Sequence, residues 1–262
     1  MPSAPDMIHP TALVHSGARL APGVSVGAYS IIGEHVEIGE GTTVGSHVVI
    51  EGRTRIGANN RIFGFSSLGG EPQDKKYAGE ATALEIGDRN TIREYCTFNC
   101  GTAQDARVTR IGDDNWIMAY AHIAHDCQVG SHTIFANAAS IAGHVHVGDY
   151  AVLGGFTGVH QFVMIGAHSM TAGATLLLQD LPPYVMAAGN DAKPFGVNAE
   201  GLKRRGFSEE QIAEIKRAYK TLYRSGLGLE DARLALAEQA QKAPELRVLV
   251  DFLERSRRGI VR

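Results

Sequence analysis

Residues 26–45 read VGAYSIIGEHVEIGEGTTVG, with Val26, Ile32, Ile38 and Val44 six apart and a glycine directly after each. The beat extends in both directions. Upstream it takes in Ile8, Val14 and Leu20, and downstream Ile50, Ile56, Ile62 and Leu68. It returns at Ile86, Ile92 and Phe98, then runs from Ile111 through Ile117, Ile123, Val129, Phe135, Ile141, Val147, Leu153 and Val159 to Ile165. Four positions after the early aliphatic residues sits a small or β-branched one: Ala12, Ala18, Val24, Ser30, Val36, Thr42.

A six-residue unit is one short strand and one tight turn, too small to bury its own apolar face, so such units are stable only when stacked. Three of them close one triangular coil of about 18 residues, with the aliphatic position inward and the small residue in the cramped corner. Glycine is expected to relieve turns that need positive φ. Composition agrees with a narrow prism. There are 31 glycines in 262 residues, above the usual ~7%, against only 9 Phe, 8 Tyr and 1 Trp.

Other classes are excluded by the same numbers. Apolar residues at 44% and charged residues at 20% are too many and too few, respectively, for a disordered chain. No stretch approaches the ~18 unbroken apolar residues of a membrane span. A formal charge of -3 supplies no basic field for nucleic acid. Cys96, Cys100 and Cys127 lack paired spacing and are expected to be free, buried thiols in a reducing compartment. The opening MPSAPDMIHP has no export signal, so a cytoplasmic protein is expected.

The beat is interrupted twice. Residues 69–85 break it but keep its phase, and residues 101–110 shift it by one; both read as loops extruded from the prism. After Leu178 the repeat ends. Ser208 and Gln211 have capping-box spacing, opening a helix with apolar Ile212, Ile215, Tyr219, Leu222 and Tyr223 and stopped by Gly226. Two further helices are expected near 230–242 and 245–257. The domain reading is 1–190 for the β-helix and 191–262 for a small C-terminal α-helical domain. The repeat resembles that of the hexapeptide acyltransferases, which implies a left-handed coil; the usual crossover rule alone would make it right-handed.

Numbering modulo 18 places His122, His125, His144 and His160 along one edge, none at an inward position. His125, Gly143 and Gln161 fall in one column over three coils, about 4.8 Å per step, with Asp126 beneath His144. A histidine beside a carboxylate suits general-base catalysis, with Asp126 as acceptor for His125, and a glycine amide one coil away suits an oxyanion.

Longer motifs narrow the resemblance: GGEPQDKKYAGE at 69–80, IRE at 92–94, HIAHDC at 122–127, GGFTGVHQF at 154–162, PPYVMAAGN at 182–190 and FGVNAEGLKRRGF at 195–207. Together they resemble the acyl-carrier-protein-dependent UDP-N-acetylglucosamine O-acyltransferases of lipid A biosynthesis, over nearly the whole chain. The resemblance implies transfer of a (3R)-3-hydroxyacyl group from acyl carrier protein to the glucosamine 3-hydroxyl, with His125 as base, Asp126 as its partner and the Gly143 amide as oxyanion donor. It further implies that Gln73, Asp74, Lys76, His122, His144, His160 and Gln161 line the substrate cleft, and that Asn198, Glu200, Arg204 and Arg205 hold the nucleotide and phosphates. Gly155 and Gly173 stack away from the histidine edge. In the family the residue at the position of Gly173 sets how deep the acyl chain reaches, which implies a chain near 3-hydroxymyristoyl here, although Leu176, Leu177 and Leu178 add bulk nearby.

The resemblance also implies a homotrimer with clefts between neighbouring prisms. A thioester is already activated, so neither cofactor nor metal is expected. Asp191 departs from relatives that carry His after the asparagine. Competing readings are a different hexapeptide acyltransferase, a zinc enzyme using His122, His125 and His144, and a noncatalytic scaffold.

Overall fold

The computed structural model describes residues 7–262, and in it each six-residue unit forms a strand of two residues, or up to four beside the loops. Strands stack into three parallel sheets, the faces of a triangular prism. The first face runs from Leu13–Val14 through Ile31–Ile32 and His122–Ile123 to Leu176–Leu177; the second from Arg19–Leu20 through Gln128–Val129 to Met164–Ile165. The third begins at Ser25–Val26 and ends in a hairpin of Val185–Ala188 with Lys193–Val197, whose last strand is antiparallel. The sheet therefore continues past 191, and the first helix starts only at Ala199.

Inward positions carry the core. Ile32, Ile56, Leu68, Ile92, Ile123, Ile141 and Leu153 are all within 1% of full burial, and Phe98 and Phe135 fit the same channel. The first coil differs: Ile8 is 39% exposed and Val14 and Leu20 are only partly buried, because no coil lies beneath them among the described residues. The predicted corner residues Val24, Ser30, Val36 and Thr42 are also buried, whereas Ala12 and Ala18 of the first coil are only partly so. An asparagine ladder runs inside one corner: Asn90 N and Nδ2 donate to Asn60 Oδ1, and Asn115 N donates to Asn90 Oδ1.

We label the edge between first and second faces corner A, that between second and third corner B, and that between third and first corner C. The expected role of the beat's glycines is corrected here. Gly27 and Gly39 do not have positive φ; a Cβ on them would sit 2.6 and 2.5 Å from the carbonyl carbons of Gly45 and Gly57 in the next coil. Stacking distance, and not turn conformation, requires them. The left-handed residue comes two positions later and is usually bulky: Tyr29, His47, Phe65, Tyr95 and Tyr120 all have φ of 59–66°. In this conformation its amide reaches the coil below, as from His47 N to Ala28 O at 2.9 Å. The ~1–2 kcal/mol cost of each such residue is offset by that bond and by ring stacking. Along corner C, Tyr29, His47, Phe65, Tyr95 and Tyr120 form a continuous ladder with centroids 4.9–5.2 Å apart. The prism excludes large rings from most of its interior and carries many of them on its edges.

Both interruptions emerge at corner A. The loops are shorter than expected, 71–82 and 100–107, because their flanks join the four-residue strands Ser67–Gly70, Ala83–Ile86 and Val108–Ile111 and the three-residue strand Thr97–Asn99.

The tail comprises α1 (Ala199–Arg204), α2 (Glu209–Tyr223), α3 (Leu229–Ala240) and α4 (Arg247–Arg255), the last preceded by a 3₁₀ turn at Pro244–Leu246. The capping box at Ser208 and Gln211 is formed in full. Helices α2–α4 share a core of Ile212, Ile215, Leu222, Leu236, Leu246, Phe252 and Leu253. The chain end then closes the prism: Asp180 N donates to Gly259 O, Val261 N to Asp180 O, and Ser256 Oγ to the buried Asp180 carboxylate.

Candidate active site

At corner A three successive turns place His125, Gly143 and Gln161 one above another. Backbone bonds fix the steps: His144 N donates to His125 O at 3.0 Å, and Phe162 N to Gly143 O at 3.1 Å. Asp126, His144 and Phe162 occupy the left-handed position, with φ of 59°, 63° and 65°. His144 stacks on Phe162, centroids 4.3 Å apart and planes within 6°, and meets His125 edge-on at 5.0 Å.

Asp126 is 1% exposed. Burial pushes its carboxyl up, but bonds from His125 and from the Thr102 side chain and backbone outweigh that, so its pKa lies below the usual carboxylate value. Thr102 N donates to both oxygens at 2.9 and 3.0 Å and Thr102 Oγ1 to Oδ2 at 2.6 Å; Asp126 N in turn donates to Thr109 Oγ1. His125 Nδ1 is 2.9 Å from Asp126 Oδ2. A carboxylate only accepts, so the proton sits on Nδ1 and Nε2 keeps its lone pair. Gly143 makes this possible: a Cβ there would lie 2.6 Å from Nε2 and 2.4 Å from Cε1 of His125. The Gly143 N–H has no acceptor among the described residues.

The two corner A loops overhang this column. Gln73, Asp74, Lys75 and Lys76 from the first and Gln104 and Asp105 from the second join His125, His144, Gln161 and Phe162 around a cleft of about 700 Å³. The structure thus gathers six of the residues singled out from sequence: Gln73, Asp74, Lys76, His125, His144 and Gln161. His122 lies on the first face, where its Nδ1 meets Thr97 Oγ1 at 2.7 Å; burial, and to a lesser extent the neighbouring His125, lower its pKa. His160 is exposed, its Nδ1 3.0 Å from Gln161 O. Neither is among the residues around this single-chain cavity.

Gly155 and Gly173 stack at corner C, where a Cβ on Gly173 would be 3.6 Å from Gly155 O. Asn198 and Arg205 lie at corner B against His168 and Tyr150, and Glu200 and Arg204 are on α1 between them. Asn198 is buried and committed, its Oδ1 capping α1 through Gly201 N and its Nδ2 donating to His168 O. Glu200 pairs with Lys203, and Arg205 lies over the Tyr150 ring. Asp191 is exposed and pairs with Lys193. All three thiols are buried and free, and burial raises Cys96, Cys100 and Cys127 to about 11, 11 and 12.

Sequence reading missed Thr102, Thr109, Gln104, Asp105 and Phe162. The available signal was the phase shift itself, which falls at the same corner as the histidine column. His122, the third imidazole of the zinc reading, is not among the donor atoms that converge within the described residues. The donor atoms that do converge belong to His125, Asp126 and His144, within 4.8 Å of one another, but both Asp126 oxygens already accept from Thr102 and one from His125.

A left-handed parallel β-helix of hexapeptide repeats with a helical tail and a His–Asp pair on one edge defines the class as a hexapeptide acyltransferase. Residues 109–143 match the bacterial transferase hexapeptide repeat, and residues 180–261 the second domain of UDP-N-acetylglucosamine O-acyltransferase. An acyl-[acyl-carrier-protein]–UDP-N-acetylglucosamine O-acyltransferase of Herminiimonas arsenicoxydans is 62% identical, over 98% of this chain and 100% of that protein. One of Thiobacillus denitrificans is 64% identical, over 97% and 99%. Among solved structures, UDP-N-acetylglucosamine O-acyltransferase of Moraxella catarrhalis superposes with TM-score 0.95 at 46% identity, covering 98% of this chain and 100% of that one. The Francisella novicida UDP-N-acetylglucosamine acyltransferase gives 0.96 at 44%, covering 97% and 94%. The chain belongs to the acyl-[acyl-carrier-protein]–UDP-N-acetylglucosamine O-acyltransferase family, the enzymes of the first step of lipid A biosynthesis.

Proposed function

We propose that this chain transfers a (3R)-3-hydroxyacyl group from acyl carrier protein to the 3-hydroxyl of UDP-N-acetylglucosamine, with His125 as general base. The observation that carries this is the His125–Asp126 pair lying over Gly143 in a cleft. His125 Nε2 takes the proton as the sugar oxygen attacks the thioester carbonyl; Asp126 holds the ring and stabilises the imidazolium. The oxyanion forms against the Gly143 N–H. Collapse breaks the C–S bond, and the imidazolium returns its proton to the departing thiolate. No cofactor is needed, since the thioester supplies the activation.

The loop cations Lys75 and Lys76 and the cleft's polar rim suit a nucleotide sugar. Within one chain, Gly155, Gly173, Asn198, Glu200, Arg204 and Arg205 do not reach the corner A cleft, which supports a homotrimer whose neighbouring prism brings corner C and the tail to it. Sedimentation equilibrium tests the assembly, and a monomer retaining full activity would end that reading. Gly173 is exposed, and a Cβ on it would make only one ordinary contact, with Gly155 O at 3.6 Å, which supports an acyl chain near 3-hydroxymyristoyl. Product mass spectra dominated by a ten-carbon chain would overturn that length. Free thiols support a cytoplasmic location. The test of the chemistry is a transfer assay with UDP-N-acetylglucosamine and a ladder of 3-hydroxyacyl carrier-protein thioesters: turnover with acetyl-CoA alone would indicate a different hexapeptide acyltransferase.

A further inference from the structure

The loop at 100–107 supports both imidazoles of the cleft by separate routes. Thr102 holds Asp126, which holds His125. Three residues on, Asp105 Oδ2 lies 2.6 Å from His144 Nδ1. The second contact does something packing cannot. Stacking on Phe162 fixes the plane of the His144 ring, but a half-turn about the Cβ–Cγ bond preserves that plane while exchanging nitrogen for carbon at its edge. Only a directional partner distinguishes the two orientations. Asp126 Oδ2, at 4.0 Å, is beyond hydrogen-bond range. Asp105 is the only side chain in hydrogen-bond range of that nitrogen among the described residues.

We propose that Asp105 is a positioning residue for substrate recognition: by accepting the His144 Nδ1–H it presents His144 Nε2 as an acceptor for a hydroxyl of the bound nucleotide sugar. This rests on the proposed acyl transfer in the same cleft. His144 is 12% exposed and lines the cleft, whereas Asp105 is half-exposed on its rim. The effect belongs to binding, because His125 has its own carboxylate and does not depend on Asp105.

The test compares Asp105→Ala and Asp105→Glu with the parent enzyme. Asp105→Ala is expected to raise KM for UDP-N-acetylglucosamine roughly tenfold, the scale of one lost charge-assisted hydrogen bond, with kcat within about twofold. Asp105→Glu is expected to recover most of that loss. A downfield Nδ1–H proton resonance, assigned by its disappearance in His144→Gln, is expected in the parent and absent in Asp105→Ala. Unchanged KM in Asp105→Ala, or a ring resonance indifferent to residue 105, overturns the proposal. A fall in kcat with unchanged KM overturns it too, since that pattern marks a general disturbance of the loop. The resonance needs no turnover, so it decides the role of Asp105 even if His125→Ala proves fully active and the transfer chemistry itself is lost.

Discussion

At corner B, His132, Tyr150, His168 and Tyr184 stack ring on ring, each at a left-handed turn; at corner A, His144 stacks on Phe162 in the same turn conformation. The backbone device is shared, and what differs is the surroundings. His168 meets a guanidinium, Arg205 Nη1 at 3.4 Å from its Nδ1, and burial together with that charge brings it down to about 4. Among the described residues it has no carboxylate in hydrogen-bond range, and it is roofed by Phe207 and α1. His125 and His144 each have a carboxylate, face an open cleft, and lie beside a glycine whose amide is free. A stacked histidine is edge packing until a carboxylate, a bare amide and space for a ligand are added to it.

The largest expected effect breaks the comparison if it fails. His125→Ala is expected to lower the transfer rate by about 10²–10⁴-fold, while His168→Phe leaves it within about threefold; comparable losses in both would mean that corner A is not special. Gly143→Ala comes next, at about 10²-fold, because its methyl must displace the His125 ring. The fold should survive that change, so the thermal midpoint of the same variant separates site damage from unfolding.

Stability against pH sharpens the contrast from the other side. His168 is held neutral in the fold, with its pKa depressed from 6.5 to about 4, so the unfolded chain binds more protons between those values. Its contribution is present above pH 6.5 and is lost progressively as pH falls towards 4. His168→Phe is expected to flatten that slope in urea melts. Asp126, also depressed, contributes stability present above the ordinary carboxylate pKa of ~3.9 and lost below it as pH falls through the folded value, so Asp126→Asn is expected to lower stability across the neutral range and to flatten the profile only in its acid limb. The smallest effect lies in the ring ladder of corner C, in coils below Gly155 and Gly173: Tyr95→Ala is expected to cost about 1–2 kcal/mol in chemical denaturation through lost stacking with activity unchanged.

The sequence by itself determined the prism. A period of six that holds from Ile8 to Leu68 admits one way to bury its aliphatic row, and the count modulo 18 already put His125, Gly143 and Gln161 in one column. Local helix signals were equally direct, as at Ser208 and Gln211. Tertiary structure alone decided why glycine follows the aliphatic residue, since the approach of Gly45 to Gly27 belongs to the distance between coils and not to either turn. It also decided that His122 lies on a flat face and that Thr102 and Asp105 reach the imidazoles. Those residues sit on a loop with no period, and a loop's side chains find their partners only after the rigid column beneath has fixed where the partners are.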